Sequence, residues 1–214
     1  MAFDLVIFDC DGVLVDSELI TNRIFVRMLN DLGLPLSLDD MFERLVGRSM
    51  PQCLELIEGM LGRPVPDDFE RDYRARTAAA LRSEVKAVPG IEAVLAVLDV
   101  PFCVASSGTH EKMNTTLGVT GLLPKFQGRM YSVTEVANSK PAPDVFLHAA
   151  RQSGVDASAC AVVEDTPTGV RAGVAAGMTV FGYCALTPRH RLTEAGAHHT
   201  FDHMRDLPEL ISRG

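Results

Sequence analysis

Asp9 and Asp11 stand two residues apart in Phe8-Asp9-Cys10-Asp11-Gly12, directly after the apolar run Leu5-Val6-Ile7-Phe8. A short run with β-branched members that breaks into acid and glycine reads as a buried strand leaving its sheet. Carboxylates this closely spaced invite a hard cation such as Mg²⁺, and a turn at this point must aim the two side chains differently. Taken alone, the run is as readily a solvated Asp-Gly turn.

Three later stretches carry matching chemistry. Ser106-Ser107-Gly108 follows the strand-like Phe102-Cys103-Val104-Ala105. Lys140 precedes Pro141-Ala142-Pro143 at a helix start. Glu164-Asp165 follows Ala161-Val162-Val163 and leads into Thr166-Pro167-Thr168-Gly169. A carboxylate can attack phosphorus and form an aspartyl-phosphate, splitting one hard displacement into two. A carboxylate-held cation neutralises the phosphoryl oxygens, while a hydroxyl, backbone N–H groups and a lysine clamp the transferring group. A second carboxyl, acting as acid and then as base, serves the leaving oxygen and the hydrolytic water. Each residue also has a plainer reading. Ser106 is otherwise a turn serine, Lys140 a solvated helix-start lysine, and Glu164-Asp165 a helix cap. Ser106 beside Gly108 and ahead of a helix also reads as an anion nest.

The elements that must position these groups follow from periodicity. After Asp16-Ser17-Glu18, a helix-start signature, Ile20, Ile24, Met28 and Leu32 recur at helical spacing and Gly33 closes the segment. Further helices are expected from near Ser37 (with Asp40 three residues on), Pro51 and Pro66. Residues 16–85 show no convincing strand and are expected to form an all-helical inserted domain. Asp16 is expected to cap its first helix or to brace the point where it begins. Residues 1–15 and 86–214 then alternate strands, ending with Thr179-Val180-Phe181-Gly182, and helices over about 91–98, 111–117, 144–152 and 169–176. That alternation implies an α/β fold with a doubly wound parallel sheet. In such a sheet the strand ends converge on one crevice.

The composition sets limits. The chain has 214 residues, 47% of them hydrophobic, and a formal net charge of −8. The charge disfavours nucleic acid, which needs a basic footprint. No apolar run reaches a membrane span, and no leader pattern opens the chain, so a cytoplasmic protein is expected. The five cysteines are scattered without a CxxC and read as small buried hydrophobes rather than as zinc ligands or a catalytic thiol. His198, His199 and His203 fall in what reads as a polar tail, and His110 reads as a surface residue.

Taken together, Asp9-x-Asp11-Gly-Val-Leu-Val-Asp16, Ser106 after a strand, Lys140 in Ser-Lys-Pro-x-Pro-Asp, and Glu164-Asp165 in Glu-Asp-Thr-x-x-Gly strongly resemble the haloacid dehalogenase-like (HAD) superfamily. The resemblance is to the branch of phosphatases and β-phosphoglucomutase that carries a helical cap after the first strand, and it spans the chain with the motifs in order. It implies Asp9 as nucleophile, Asp11 as general acid/base, Ser106 as phosphoryl ligand and Lys140 as the group steadying both. It implies Mg²⁺ held by Asp9, the main-chain carbonyl of Asp11, and Asp165, with Glu164 a ligand or a partner behind the ligands. An acid at position 11 argues for an alkoxide leaving group, because haloacid dehalogenases lack one there.

Substrate choice is expected to lie in the cap. Leu45-Val46-Gly47-Arg48-Ser49 resembles the family's loop over the active site, where Arg48 either grips an anionic group or stays solvated. Thr21, Asn22 and Arg23 are candidates to face the cleft, and Arg71, Arg74 and Arg76 form a mostly exposed basic stripe. Thr21 and Met50 depart from the mutase pattern, which has histidine and arginine there. Phe146-Leu147-His148-Ala149-Ala150 and Leu207-Pro208-Glu209-Leu210 look most like bacterial sugar-phosphate phosphatases. The expected activity is Mg²⁺-dependent hydrolysis of a small phosphorylated metabolite, a sugar phosphate or a phosphosugar acid such as 6-phosphogluconate, by a monomer or weak homodimer. The alternatives are a phosphosugar mutase and a non-catalytic phosphoacceptor module.

Overall fold

The structure is a computed structural model that describes residues 3–46, 48 and 50–213. It resolves into two compact units. One comprises Met1–Asp16 and Lys86–Gly214, the other Ser17–Val85.

Strand β1 (Leu5–Phe8) opens the first unit. The second unit follows as α1 (Glu18–Asp31), α2 (Leu38–Arg44), α3 (Met50–Leu61) and α4 (Phe69–Glu84). Its core gathers Phe25, Val26 and Leu29 with Met41, Leu45, Ile57 and Phe69. The Phe25 ring meets Phe69 and Tyr73 edge-on, at 5.6 Å and 4.8 Å. Ser37 and Asp40 close a capping box at the start of α2, as their spacing predicts. Pro66 initiates a turn that receives the Phe69 N–H, so α4 begins three residues later than proline alone suggests. Arg71, Arg74 and Arg76 are exposed and paired with Asp68, Glu70 and Asp31. Gly47 and Ser49 lie outside the described residues.

Asp16 does not cap α1. Ser17 holds the N-cap position, without a side-chain cap bond. The cause is the stretch before it. Val15 bridges Ala87 antiparallel, Val88 N–H donates to Leu14 O, and Asp16 N–H donates to Lys86 O. This pairing ties Asp16 into the first unit, one residue past the boundary expected from the sequence.

The first unit continues with α5 (Ile91–Val97), β2 (Phe102–Ser106), α6 (His110–Val119), α7 (Leu123–Phe126), β3 (Met130–Ser132), α8 (Asp144–Ser153), β4 (Cys160–Glu164), α9 (Pro167–Ala175), β5 (Thr179–Tyr183), α10 (Arg189–Glu194), β6 (His199–Phe201) and α11 (Leu207–Arg213). The six strands form one sheet in the order β3-β2-β1-β4-β5-β6, and each neighbouring pair is parallel. This is the doubly wound α/β sheet expected from the alternation. β6 is the exception. Its residues sit in the stretch read as a polar tail, because three residues with His199 exposed and only Phe201 buried leave no period to detect. His198 belongs to this edge as well: its Nδ1 accepts the Val180 N–H at 3.0 Å.

β1 lies mid-sheet, and all four of its residues are buried, as a strand covered on both faces requires. Leu5 and Ile7 join Cys103, Ala105, Val162 and Val180 against Val145, Phe146 and Ala149 of α8 and Val170 and Ala172 of α9. On the opposite face of the sheet, Phe8 meets Phe102 at 6.2 Å, and Phe102 meets Phe126 of α7 at 5.3 Å.

Gly173 in α9 marks how tightly the helix rides on the sheet, since a Cβ there would lie 2.7 Å from Val180 Cγ2. Alanine would gain about 1 kcal/mol of helix propensity over glycine, but overpacking of this kind costs about 1–3 kcal/mol. Gly173→Ala is therefore expected to lower unfolding free energy in urea. Gly59→Ala in α3, where a Cβ meets nothing within 4 Å, is expected to raise it by about 0.5–1 kcal/mol. Two shifts of the same sign would show that packing does not separate the sites.

Candidate active site

The sheet order brings the chemistry together. β1 is flanked by β2 and β4, so the residues at the carboxyl ends of these three strands become neighbours. Asp9 leaves β1 with its N–H still bonded to Val163 O at 2.9 Å. The chain then folds into a closed turn. Leu14 and Val15 N–H both donate to Cys10 O, and Gly12 N–H donates to Val15 O. Gly12 has φ +83°, a conformation that favours glycine.

Lys140 lies at the centre. Its Nζ donates to Asp9 Oδ1 at 2.5 Å, Glu164 Oε1 at 2.8 Å and Ala105 O at 3.2 Å, and it sits 4.6 Å from the centroid of the Phe146 ring. Its side chain is only 4% exposed. Burial alone would make it a weaker base, but Asp9 and Glu164 outweigh that and hold its pKa above the ordinary lysine range. Glu164 is itself held tightly. Its Oε2 accepts from the N–H groups of Asp165 and Thr166, both at 3.0 Å, and from Thr166 Oγ1 at 2.9 Å.

Ser106 is fully buried. Its Oγ accepts the Gly108 N–H at 2.9 Å, which leaves the hydroxyl hydrogen to donate. The loop behind it is anchored by Ser132 of β3, whose Oγ donates to Gly108 O at 2.7 Å. Ser107 is exposed at the same turn. Thr109 caps α6, its Oγ1 accepting the Lys112 N–H at 3.2 Å. The sequence reading missed Lys112, whose Nζ donates to Asp11 Oδ2 at 2.8 Å. A signal existed: a lysine in the first turn of a helix faces the positive end of the macrodipole. Burial disfavours its charge, yet attraction to Asp11 raises its pKa.

Arg48 is exposed, and its Nε donates to Arg44 O at 2.8 Å. Thr21 Oγ1 donates back to Glu18 O at 3.0 Å, and Arg23 pairs with Glu84. His110 Nε2 lies 3.0 Å from Glu135 Oε2. The Cys10 thiol, beside the acids, is pushed well up by burial and by Asp11 and Asp9, and is therefore a poor nucleophile.

The donor set fits a hard divalent cation. Asp9, Glu164 and Asp165 are all buried, and each offers a carboxylate oxygen within 4.8 Å of the others. With Asp11 nearby, carboxylates outnumber the ammonium groups of Lys140 and Lys112. The strain shows in Asp9, whose carboxyl is pushed up to about 7 by burial, against the pull of Lys140 and with the repulsion of Glu164 and Asp11. Two glycines make room for the acids. A Cβ on Gly12 would lie 2.1 Å from Asp165 Oδ2, and one on Gly169 would lie 1.6 Å from Glu164 Oε1.

Gly12→Ala is expected to displace Asp165 and to weaken Mg²⁺ binding about 10- to 100-fold by calorimetry, the range typical for lost supporting contacts. Unchanged affinity would remove Asp165 from the cation site. A second expectation concerns pH. Because the Asp9 carboxyl is raised, the folded chain binds more protons than the unfolded chain between the ordinary carboxylate range and about pH 7, so stability falls as pH rises through that window. Between about pH 5.5 and 7.5, the metal-free wild type should lose more stability in urea than Asp9→Asn, by at most about 1.4 kcal/mol per pH unit. Identical pH dependence in the two proteins would contradict the shift.

The haloacid dehalogenase-like hydrolase family matches residues 3–177. The chain is 34% identical over 208 residues to 6-phosphogluconate phosphatase of Escherichia coli (strain K12), covering 97% of this chain and 94% of that protein. A haloacid dehalogenase-like protein from Agrobacterium tumefaciens str. C58 has a similar structure, with a TM-score of 0.92 at 36% identity over 99% of this chain and 98% of the other. A HAD family hydrolase from Deinococcus radiodurans R1, solved with phosphate and sodium bound, gives 0.86 at 30% identity over 99% and 96%. The chain belongs to the haloacid dehalogenase-like hydrolase family, and within it stands with the phosphatases.

Proposed function

We propose that this phosphatase hydrolyses the phosphate ester of a small sugar or sugar acid through an aspartyl-phosphate on Asp9, with a bound Mg²⁺. The observation that carries the reading is the Asp9 carboxylate at the end of the central strand, paired with Lys140 at 2.5 Å and grouped with Glu164 and Asp165. The substrate class is supported by the 34% identity to an enzyme named for 6-phosphogluconate. The five free cysteines, four of them buried, suit a reducing compartment, and we place the protein in the cytoplasm.

In this reading Asp9 attacks phosphorus as the bond to the leaving oxygen breaks, and Asp11 donates its proton to that oxygen. Water then attacks the aspartyl-phosphate, Asp11 takes the proton back, and phosphate leaves with Asp9 restored. The Ser106 hydroxyl and the Ser107 N–H hold the phosphoryl oxygens, with Gly108 N–H bracing Ser106 Oγ, and Lys140 keeps Asp9 aimed. Asp9, Asp165 and the main-chain carbonyl of Asp11 would hold Mg²⁺, which when bound would supply charge neutralisation on the transferring group. Glu164 serves Lys140 rather than the cation, because its Oε2 already accepts three donors and its Oε1 accepts Lys140.

Asp9→Asn is expected to abolish phosphate release from a panel of sugar phosphates, including 6-phosphogluconate, while keeping the wild-type circular dichroism spectrum. Chelation of divalent cations should do the same to the wild type, reversibly with Mg²⁺. Undiminished release by Asp9→Asn would end the nucleophile assignment. An isomerised phosphosugar in place of phosphate would mark a mutase.

A further inference from the structure

Lys112 enters none of the steps above, yet its ammonium lies 2.8 Å from Asp11 Oδ2. Its main chain is pinned at both groups: the N–H donates to Thr109 Oγ1 at 3.2 Å, and the carbonyl accepts from Thr116 Oγ1 at 3.1 Å. The side chain runs along the phosphoryl loop, where a Cβ on Gly108 would lie 3.2 Å from Lys112 Cδ and 3.8 Å from Asp11 Oδ2. The Lys112 side chain is 34% exposed and that of Asp11 21%, so the pair sits at the rim of the site rather than in the core. An ammonium in the first helical turn works against the helix dipole, so the helix itself gives no reason for a lysine there. The reason lies in Asp11.

We propose that Lys112 is a positioning residue for Asp11 and acts in the second half-reaction. The proposal rests on the reading of Asp9 as nucleophile and Asp11 as acid/base. An ion pair holds a carboxylate, and Asp11 is a carboxylate once its proton has gone to the leaving oxygen. In the next step the water oxygen forms its bond to phosphorus, the bond between phosphorus and Asp9 breaks, and the water proton passes to Asp11. Lys112 fixes the direction from which Asp11 meets that water. An unheld aspartate would reach the water in only a fraction of its rotamers, and lost orientation of this kind is costly to rate. Transfer from substrate to Asp9 precedes this step and does not need the pair.

The test is steady-state kinetics and acid-quenched phosphoenzyme measurement on Lys112→Met and Lys112→Arg, using whichever sugar phosphate the wild type hydrolyses. For Lys112→Met, kcat should fall about 10- to 100-fold, up to the cost of a misplaced reacting group. KM should fall with it, so that kcat/KM stays within about threefold, and phosphorylated Asp9 should accumulate. Lys112→Arg, which keeps the charge, should recover part of kcat and holds the test open if the methionine variant folds poorly. A fall in kcat/KM equal to that in kcat would place Lys112 in phosphoryl binding or the first transfer and overturn the proposal. Unchanged kcat would overturn it too. Asp11→Ala in parallel separates the two layers. Wild-type turnover by that variant would remove the acid/base reading itself, whereas its inactivity beside a fully active Lys112→Met would remove only the role of Lys112.

Discussion

The arrangement depends on one buried ammonium. Lys140 bonds to Asp9, 131 residues before it in the chain, and to Glu164, 24 residues after it. Withdrawing these charges from water costs several kcal/mol per ion, recovered only by close geometry and added hydrogen bonds. The geometry is close on every side: Ala105 O takes a third donor position, and the Phe146 face lies against the nitrogen. Removing Lys140 would leave carboxylates facing one another without compensation. The cation therefore fixes how the ends of β1, β2 and β4 meet, and that meeting is the site.

Topology and vacancy then do the rest. Placing β1 between β2 and β4 brings together residues about a hundred positions apart, each emerging at a carboxyl edge where open sheets leave a crevice. What keeps the crevice from filling is the absence of side chains at two positions. Gly12 yields its space to Asp165, and Gly169 yields its own to Glu164. In α9 that choice gives up helix propensity for electrostatics, since the Glu164 carboxylate occupies the place a Cβ would take. Lys140 and the glycines are thus parts of one solution: the lysine supplies the charge, and the glycines supply the room.

Much of this was legible in the residues. The central strands announced themselves through β-branched runs ending in acid or serine, and Asp9, Ser106, Glu164 and Asp165 each sit next to such an ending, while Lys140 stood in a proline-rich helix start. Local periodicity reports what a strand or helix looks like along the chain, so it found β1, β2, β4 and β5 easily. It does not report pairing. β6 owes its existence to an edge partner, with Phe201 its only buried residue. Asp16 looked like a cap because the residues around it spell one, but the antiparallel pairing of Val15 with Ala87 overrides that spelling. Lys112 stayed hidden for the same reason. Its partner Asp11 is 101 residues away, and only its misfit with the helix dipole hinted at a distant acid.

A last consequence concerns why an acid-rich site would need a metal at all. In the proposed mechanism Asp9 has to be ionised to attack an already anionic group, yet burial and the neighbouring carboxylates push its carboxyl up to about 7. Lys140 opposes this but is shared with Glu164, so one positive charge serves two acids. Burial thus keeps the Asp9 carboxyl dry at the risk of keeping it protonated. A divalent cation held by Asp9 and Asp165 would resolve that conflict, because it would favour the ionised form of Asp9. In that mechanism the count of buried acids against lysines is itself the reason the chemistry would call for a metal.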